Sequence, residues 1–283
     1  MPESPAFRQI GLVGAGRVAS ALALGLAPHA ARPALVLGRG QIAGTGAARD
    51  AADLLARCDT IGLAVSDDAL DGVVADLAAA IGAKAPFVFH VSGRSGVGVL
   101  APLADRGAQT AAIHPVMTFT GDPAAEVARM VGARFAVTGA DAASTALARR
   151  IVACLGGVAV DVAEAHRALY HAALCHAANH LVTLLAGSSE ALARAGVDDP
   201  AALLAPLVRA ALNNSLDRGF AALSGPLLRG DGRTIANHLA ALARDCPDLL
   251  PAYRAMALAT LDQLDRTGAL PDPALRATIK DAP

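Results

Sequence analysis

The segment Ile10–Ala19 constrains the fold of this chain most, because it combines a strand, a glycine turn and a helix start. Its apolar first half, which ends at Val13, is typical of a buried parallel strand. Gly14, Gly16 and Ala19 follow at the spacing G-x-G-x-x-A. The first glycine permits a sharp turn, the second lets a pyrophosphate approach the backbone, and the third small residue permits tight helix packing. The segment predicts a dinucleotide site at a helix N-terminus.

Composition limits the partners of the chain. The chain has 283 residues, of which 54% are hydrophobic and 17% are charged. This length and composition predict about two packed domains. The net charge of −1 and the lack of a Lys/Arg run argue against nucleic acid or an anionic membrane as a partner. The four cysteines are far apart, without a C-x-x-C pair, and no secretion signal is evident. We therefore expect reduced thiols and a cytoplasmic location.

Predicted strands alternate with helical stretches through the first part of the chain, which indicates a parallel sheet with ligands at the carboxyl ends of its strands. After Asp161 only helical periodicity remains. The predicted fold class is α/β, with an N-terminal Rossmann-like doubly wound sheet in residues 1–162 and an all-helical C-terminal domain in residues 163–283. The predicted strands are Arg8–Val13, Pro33–Gly38, Thr60–Val65, Phe87–Val91, Gln109–Ile113, Arg134–Thr138 and Val158–Asp161.

The segment Ala168–Ser189 contains no Asp, Glu, Lys or Arg and is long enough to span a bilayer. Its three histidines and Asn179 would be costly in hydrocarbon. We therefore predict a buried helix and no membrane association.

Arg39 indicates which dinucleotide is bound. An NAD site usually has Asp or Glu at the end of its second strand, where this chain has Arg39. A guanidinium forms charge-assisted bonds with a 2′-phosphate, so NADP is favoured, unless Arg39 is simply a solvated loop residue. Ser66 and Ser92, which follow the third and fourth predicted strands, are also predicted to contact the cofactor. The predicted cofactor-binding residues are Gly14, Ala15, Gly16, Arg17, Val18, Arg39, Ser66 and Ser92.

Only two lysines occur, Lys84 before the fourth predicted strand and Lys280 near the C-terminus, so the helical domain offers no lysine suited to act as the proton donor. His114, at the expected end of strand five, is one candidate acid, because the pKa range of histidine suits that role. The alternative is a histidine that fixes the turn before Pro115. His171 is the other candidate acid.

His171, Cys175 and Asn179 recur at intervals of four and share one helix face, with Tyr170 beside them. These groups either line an interdomain cleft and bind a carbonyl oxygen, or bond across a helix–helix contact. His176 and His180 have the spacing of a metal pair but no convincing third ligand, so we predict no metal site.

The segment Ser224–Asp231 contains a third group of candidates. Pro226 suits the first position of a short helix and Ser224 its cap, while Asp231 suits the cap of the next helix. Arg229 is a candidate for holding a substrate carboxylate, against the alternative of an ordinary turn with a surface arginine. The predicted substrate-binding residues are Tyr170, Ser224, Arg229 and His238.

The glycine turn, Leu63–Ala69, His114-Pro115, Tyr170-His171 with Asn179, and Ser224–Asp231 together resemble a known family. It is the Rossmann-like family with a C-terminal helical domain of unknown function, in the 6-phosphogluconate dehydrogenase-like and pyrroline-5-carboxylate reductase-like superfamily. The resemblance covers nearly the whole chain. It implies an NADP site, a reductase role and a homodimer formed through the helical domain, and some relatives act as alternative ketopantoate reductases.

The chain departs from its better-known relatives in two respects. It lacks the helical-domain lysine of ketopantoate reductases and hydroxyacid dehydrogenases, and the glycine-threonine segment of pyrroline-5-carboxylate reductase. Neither substrate can simply be carried over.

The leading hypothesis is an NADP-dependent oxidoreductase that reduces a small carboxylate-bearing carbonyl compound, with ketopantoate as the best single guess. His171 or His114 would donate the proton, Asn179 would polarise the oxygen and Arg229 would bind the carboxylate. The alternatives are a cyclic imine reductase, which needs a weaker acid, and a non-catalytic NADP-binding or sensing protein.

Overall fold

The computed structural model describes residues 5–269 and 272–281. Within these residues the first part of the chain forms an eight-stranded sheet in the order β3-β2-β1-β4-β5-β6-β7-β8. The predicted α/β class and the all-helical second part are confirmed. The strands are β1 Ile10–Val13, β2 Leu35–Leu37, β3 Gly46–Ala47, β4 Thr60–Leu63, β5 Phe87–His90, β6 Gln109–Pro115, β7 Arg134–Gly139 and β8 Val158–Asp161.

Two apolar cores cover the two faces of the sheet. Ile10 and Leu12 of β1 belong to one core, and Val13 belongs to the other. Because successive side chains of a strand point to opposite faces, this division explains the uninterrupted apolar run. The helices that accompany the sheet are α1 Arg17–Leu26, α2 Ala51–Arg57, α3 Asp67–Ala80, α4 Ala101–Ala104, α5 Pro123–Met130 and α6 Ala142–Cys154.

The prediction of a wholly parallel sheet is wrong at one junction, because β6 and β7 are antiparallel. After β6 the chain does not cross back over the sheet. Instead α5, whose Met130 is buried in the core, returns the chain to the carboxyl end of β6, where Val116 donates to the Arg134 carbonyl at 2.9 Å. A second difference is the short edge strand β3, which pairs in parallel with β2 and is absent from the predicted strands.

The strand order reverses direction at β1, which has β2 on one side and β4 on the other. In sheets of this kind ligands bind outside the carboxyl ends of the strands at such a reversal. The predicted glycine turn begins directly after β1 and so lies at this point.

By contacts, the chain divides into two compact units, Met1–Cys175 and His176–Pro283, and the division falls inside the long helix α7. The sequence-based boundary after residue 162 instead marks the end of the last strand. The helices from this point onward are α7 Arg167–Arg194, α8 Pro200–Arg218, α9 Pro226–Arg229, α10 Gly232–Asp245, α11 Leu250–Arg266 and α12 Pro273–Asp281.

The second unit has its own core, formed by α10, α11 and α12 around Ile235, Leu239 and Leu261. The prediction that Ala168–Ser189 is a buried helix is wrong for the single chain, because only Arg167 of α7 is buried. Leu169 and Val182 are 72% and 68% exposed. In the described part of the chain, no helix is long and apolar enough to cross a membrane.

Candidate functional site

The backbone after β1 requires glycine at its first turn position. Gly14 has φ of +102°, a conformation that L side chains rarely adopt. A Cβ atom there would lie 2.4 Å from the Ala64 carbonyl oxygen at the end of β4. The turn therefore lets two neighbouring strands meet closely at the point where the strand order reverses.

Gly16 has a different role, because a Cβ atom there would meet nothing within 4 Å. This residue caps the N-terminus of α1 without a side-chain hydrogen bond, and no acidic residue lies in the first helical turn. The space beside Gly16 is thus open, and no acidic side chain of the first turn offsets the positive end of the helix dipole. That combination fits an anionic group such as a pyrophosphate.

A cavity of about 930 Å³ lies over this turn. Arg39, which follows β2, is exposed and lines the cavity. Among residues 5–269 and 272–281, no carboxylate forms an ion pair with Arg39, so its charge is available to a ligand. Five of the predicted cofactor-binding residues line the cavity, namely Gly14, Ala15, Gly16, Arg39 and Ser66.

The other three predicted cofactor residues lie outside this lining. Arg17 donates from Nη1 to the Phe119 carbonyl at 3.2 Å. Val18 is partly buried and packs on the core. Ser92 belongs to the loop after β5, where its hydroxyl accepts the Ser95 N–H at 3.0 Å.

The loop after β5 is held in place by a fully buried histidine. His90 Nε2 lies 2.8 Å from the Gly96 carbonyl, and its Nδ1 accepts the Ser92 N–H at 3.2 Å. Because Nδ1 accepts, the ring proton is assigned to Nε2, which donates to Gly96. Burial lowers the pKa of His90, so the ring is neutral in this role.

Glu164 holds the same loop from the turn before α7. Its carboxylate accepts the N–H of Val97 at 2.7 Å and of Gly98 at 3.0 Å. A Cβ atom at Gly96 would lie 2.1 Å from the carboxylate oxygens, so this contact requires glycine there. Sequence reasoning missed Glu164, and the only available signal was a carboxylate placed just before a long helix.

His114, Tyr170 and His171 come together at the carboxyl end of β6. The Tyr170 hydroxyl lies 2.7 Å from His114 Nδ1, and the two rings are T-shaped. The His171 ring lies 6.3 Å from that of His114. A Cβ atom at Gly93 would lie 2.8 Å from His114 Nε2 and 2.7 Å from His171 Cδ2, so the backbone of the β5 loop fills the space beside both rings.

Burial makes His114 a neutral group. Desolvation, followed by the charges of Arg167 and His171, lowers the pKa of His114 to about 4. His114 therefore lacks a second ring proton near neutral pH, and its role as the acid stays a prediction. As a neutral ring it can still pass a proton, by accepting at one nitrogen and donating from the other.

Arg167, the first residue of α7, is a buried cation that sequence reasoning missed. It is 2% exposed, and no carboxylate in the described residues pairs with it. Nε donates to Thr138 Oγ1 at 2.9 Å, while Nη2 donates to the Ala112 and Ala136 carbonyls. Nη1 has no hydrogen-bond partner among those residues.

The remaining predicted residues belong to the second unit. Asn179 is exposed on α7, and Ser224 and Arg229 are exposed near α9. His238 is exposed on α10, with Nδ1 2.8 Å from the Tyr253 hydroxyl.

Two capping predictions have opposite outcomes. Asp231 accepts the Thr234 N–H and caps α10, as predicted. Ser224 does not cap α9, because the positive φ of Gly225 places that glycine at the cap position and Pro226 at the first helical position. This geometry leaves the Ser224 hydroxyl out of the helix start.

The histidine pair on α7 is close, with 3.0 Å between the Nδ1 atoms of His176 and His180. Groups of three or more His, Cys, Asp or Glu side chains able to hold a metal are absent from residues 5–269 and 272–281.

Comparison with solved structures shows the same fold in several oxidoreductases. A proposed NADP oxidoreductase from Bacteroides fragilis is 18% identical with a TM-score of 0.72, over 90% of this chain and 98% of that one. A reductive aminase from Aspergillus terreus in complex with NADPH is 17% identical with a TM-score of 0.66, over 97% and 99%. Pyrroline carboxylate reductase from Plasmodium falciparum, with NADP bound, is 13% identical with a TM-score of 0.61, over 97% and 99%.

No curated protein matches the chain. Two family models do, and they cover different parts of it. Residues 3–115 match the Rossmann-like domain, and residues 133–260 match the domain of unknown function DUF2520. The chain therefore consists of a Rossmann-like N-terminal domain followed by a C-terminal domain of the DUF2520 family.

Proposed function

We propose that this protein is an NADP-dependent reductase of a small carbonyl compound that carries a carboxylate. The observation that carries the proposal is the cavity of about 930 Å³ over Gly14 and Gly16, with Arg39 in its lining. The open space at the Gly16 Cβ position fits a pyrophosphate, and the unpaired Arg39 fits a 2′-phosphate. NADPH, when bound, supplies a hydride to the substrate.

The side chains of the protein would bind the substrate and manage the proton. The group formed by His114, Tyr170 and His171 supplies the proton-transferring atoms. We assign to Asn179 the polarisation of the carbonyl oxygen and to Arg229 the binding of the carboxylate, with Ser224 and His238 as further substrate contacts. The Ser92–Gly96 loop, fixed by His90 and Glu164, is prearranged to accept the cofactor's reactive end.

A panel of substrates tests this function. Purified protein is mixed with NADPH and, separately, with ketopantoate, other 2-oxo acids and pyrroline-5-carboxylate, while NADPH oxidation is followed. We expect turnover with a 2-oxo acid, and ketopantoate is the best single candidate. Tight NADPH binding without turnover on any carbonyl or imine would instead support a non-catalytic NADP-binding or sensing protein.

The neutral state of His114 favours a second candidate, reduction of a cyclic imine. An imine nitrogen takes up a proton readily and needs a weaker acid than a ketone does. With the pKa of His114 lowered to about 4, no imidazolium is available there near neutral pH. Turnover of pyrroline-5-carboxylate but not of 2-oxo acids would select this candidate.

We also propose that the protein forms a homodimer through its helical domain. Helix α8 has no buried residue. Its apolar side chains Leu207 and Leu216 are 66% and 76% exposed, and they lie on opposite sides of the helix. A helix that is apolar on opposite sides is normally buried. A second copy of the chain is the partner that would cover it, because the same surface is then hidden on both molecules.

A further inference from the structure

We propose that Tyr170 is the group that gives the proton to the substrate, with His114 as the relay behind it and Arg167 as the positioning residue for both. This inference rests on the proposed reductase function and assigns the roles within its site.

The contact between Tyr170 and His114 is the first observation. The phenol oxygen and His114 Nδ1 are 2.7 Å apart, with the ring centroids 5.8 Å apart at an interplanar angle of 86°. Both residues are half-buried, so neither is sealed from a ligand. His171, by contrast, has Cys175 Sγ 3.7 Å from its Nε2. Tyr170 is thus the side chain of this group that combines an acidic O–H with a partner able to restore its proton.

Arg167 holds both members of this pair. Its Nη2 donates to the carbonyls of Ala112 and Ala136, and Ala136 lies directly opposite His114 in the β6–β7 ladder. The guanidinium also lies 5.8 Å from the centroid of the Tyr170 ring, one helical turn further along α7. One buried side chain therefore fixes the strand position of His114 and the ring position of Tyr170.

The charge of Arg167 favours the neutral state of the relay. Desolvation lowers the pKa of His114 most, and Arg167, His171 and His90 act in the same direction against Asp67. Burial raises the pKa of Tyr170, and Arg167 opposes that rise. At neutral pH Tyr170 therefore keeps its proton, and His114 carries one proton on its ring.

The proton balance follows from this arrangement. As the carbonyl carbon gains the hydride electron pair, the Tyr170 O–H bond breaks and an O–H bond forms on the substrate oxygen. The phenolate oxygen then takes the Nδ1 proton of His114, while Nε2 of the same ring takes a proton from water. The ring changes tautomer and stays neutral, and the reaction consumes one solvent proton.

Tyr170→Phe is the first test, because it removes the hydroxyl and keeps the ring. We expect kcat for NADPH oxidation to fall about 100-fold or more, with an unchanged Kd for NADPH. His171→Gln should reduce kcat less. The inference would be overturned in favour of His171 if Tyr170→Phe kept the kcat of the unchanged protein while His171→Gln lost activity.

A second measurement reads the relay without any turnover. The chain has two tyrosines and no tryptophan, so the Tyr253→Phe variant leaves Tyr170 as its sole phenol. In that background, ultraviolet absorbance follows the pKa of Tyr170, and NMR of labelled histidine follows that of His114. Arg167→Met should raise both pKa values, whereas Arg167→Lys should change them less.

The two measurements separate the possible failures. If none of the carbonyl compounds or imines supports NADPH oxidation by the unchanged protein, the proposed reductase function fails. If Arg167→Met folds and leaves the pKa values of Tyr170 and His114 where they were, the role of Arg167 is overturned. If Arg167→Met does not fold, the effect of Tyr170→Phe on the His114 pKa decides, and an unchanged His114 pKa in that variant contradicts the proposal.

Discussion

The Glu164 carboxylate accepts the backbone N–H of Val97 at 2.7 Å across 67 positions of the sequence. The same carboxylate accepts the N–H of Gly98, so one side chain before α7 fixes the loop that follows β5. Since Arg167 starts α7 three residues later, the segment Glu164–Arg167 connects this loop to the His114–Tyr170 pair.

Glu164→Gln should loosen this loop. An amide presents one acceptor oxygen where the carboxylate presents two, and it lacks the charge that strengthens both bonds. We expect faster amide hydrogen exchange at Val97 and Gly98, and a KM for NADPH raised severalfold. Glu190→Gln, which removes an exposed carboxylate paired with Arg194, is the matched control and should leave both readouts unchanged. Protected amides at Val97 and Gly98 in Glu164→Gln would contradict the role given to this contact.

The two glycines of the turn should respond differently to alanine. Gly14→Ala places a Cβ atom 2.4 Å from the Ala64 oxygen at a φ of +102°, so we expect a loss of about 1–3 kcal/mol in the free energy of unfolding or failure to fold. Gly16→Ala should cost no more than about 1 kcal/mol, because the space there is open. It should nevertheless weaken NADPH binding about tenfold or more, since the methyl group occupies the proposed phosphate position. Denaturant unfolding and calorimetric titration measure the two effects, and undiminished NADPH affinity in Gly16→Ala would place the phosphates elsewhere.

Acid should destabilise the protein through His114. Its pKa in the folded chain is about 4, below the usual value of about 6.5, so the unfolded state binds more protons between these values. The stability contributed by the neutral ring is fully present above about pH 6.5 and is lost as the pH falls toward about 4, by up to about 3 kcal/mol. Denaturant unfolding across this window should show the loss, and His114→Asn should make the pH dependence shallower. An identical slope in the two proteins would mean that His114 titrates normally in the folded chain.

Leu207→Glu and Leu216→Glu test the homodimer from opposite sides of α8. Light scattering of the unchanged protein should give twice the mass of one chain. Each variant should shift to the single-chain mass, because burial of the new carboxylate in the interface is costly. Val131→Glu is the control, since Val131 is 70% exposed in the first unit. A protein that is monomeric before substitution would contradict the proposal.

The sequence predicted the features that depend on local pattern. The glycine turn, the alternation of strands with helices and the Asp231 cap all follow from residues close together in the chain, and the structure has each of them. The approach of Tyr170 to His114 was not predictable, although both were named as candidates, because 56 positions separate them. Arg167 was missed because its partners are carbonyls brought together by the antiparallel β6–β7 pair, which itself departs from the expected parallel order.

The preference for NADPH over NADH tests the central claim most directly, because it depends on the cavity over the glycine turn and on Arg39. Calorimetric titration of the purified protein should show one NADPH site per chain, with NADH bound at least about tenfold more weakly. Arg39→Gln should weaken NADPH binding about 10-fold to 100-fold and leave NADH binding unchanged, while the control Arg32→Gln, at another exposed arginine, should alter neither. The proposal would be contradicted if the protein bound no NADPH. It would also be contradicted if NADPH and NADH bound with equal affinity and Arg39→Gln changed neither affinity.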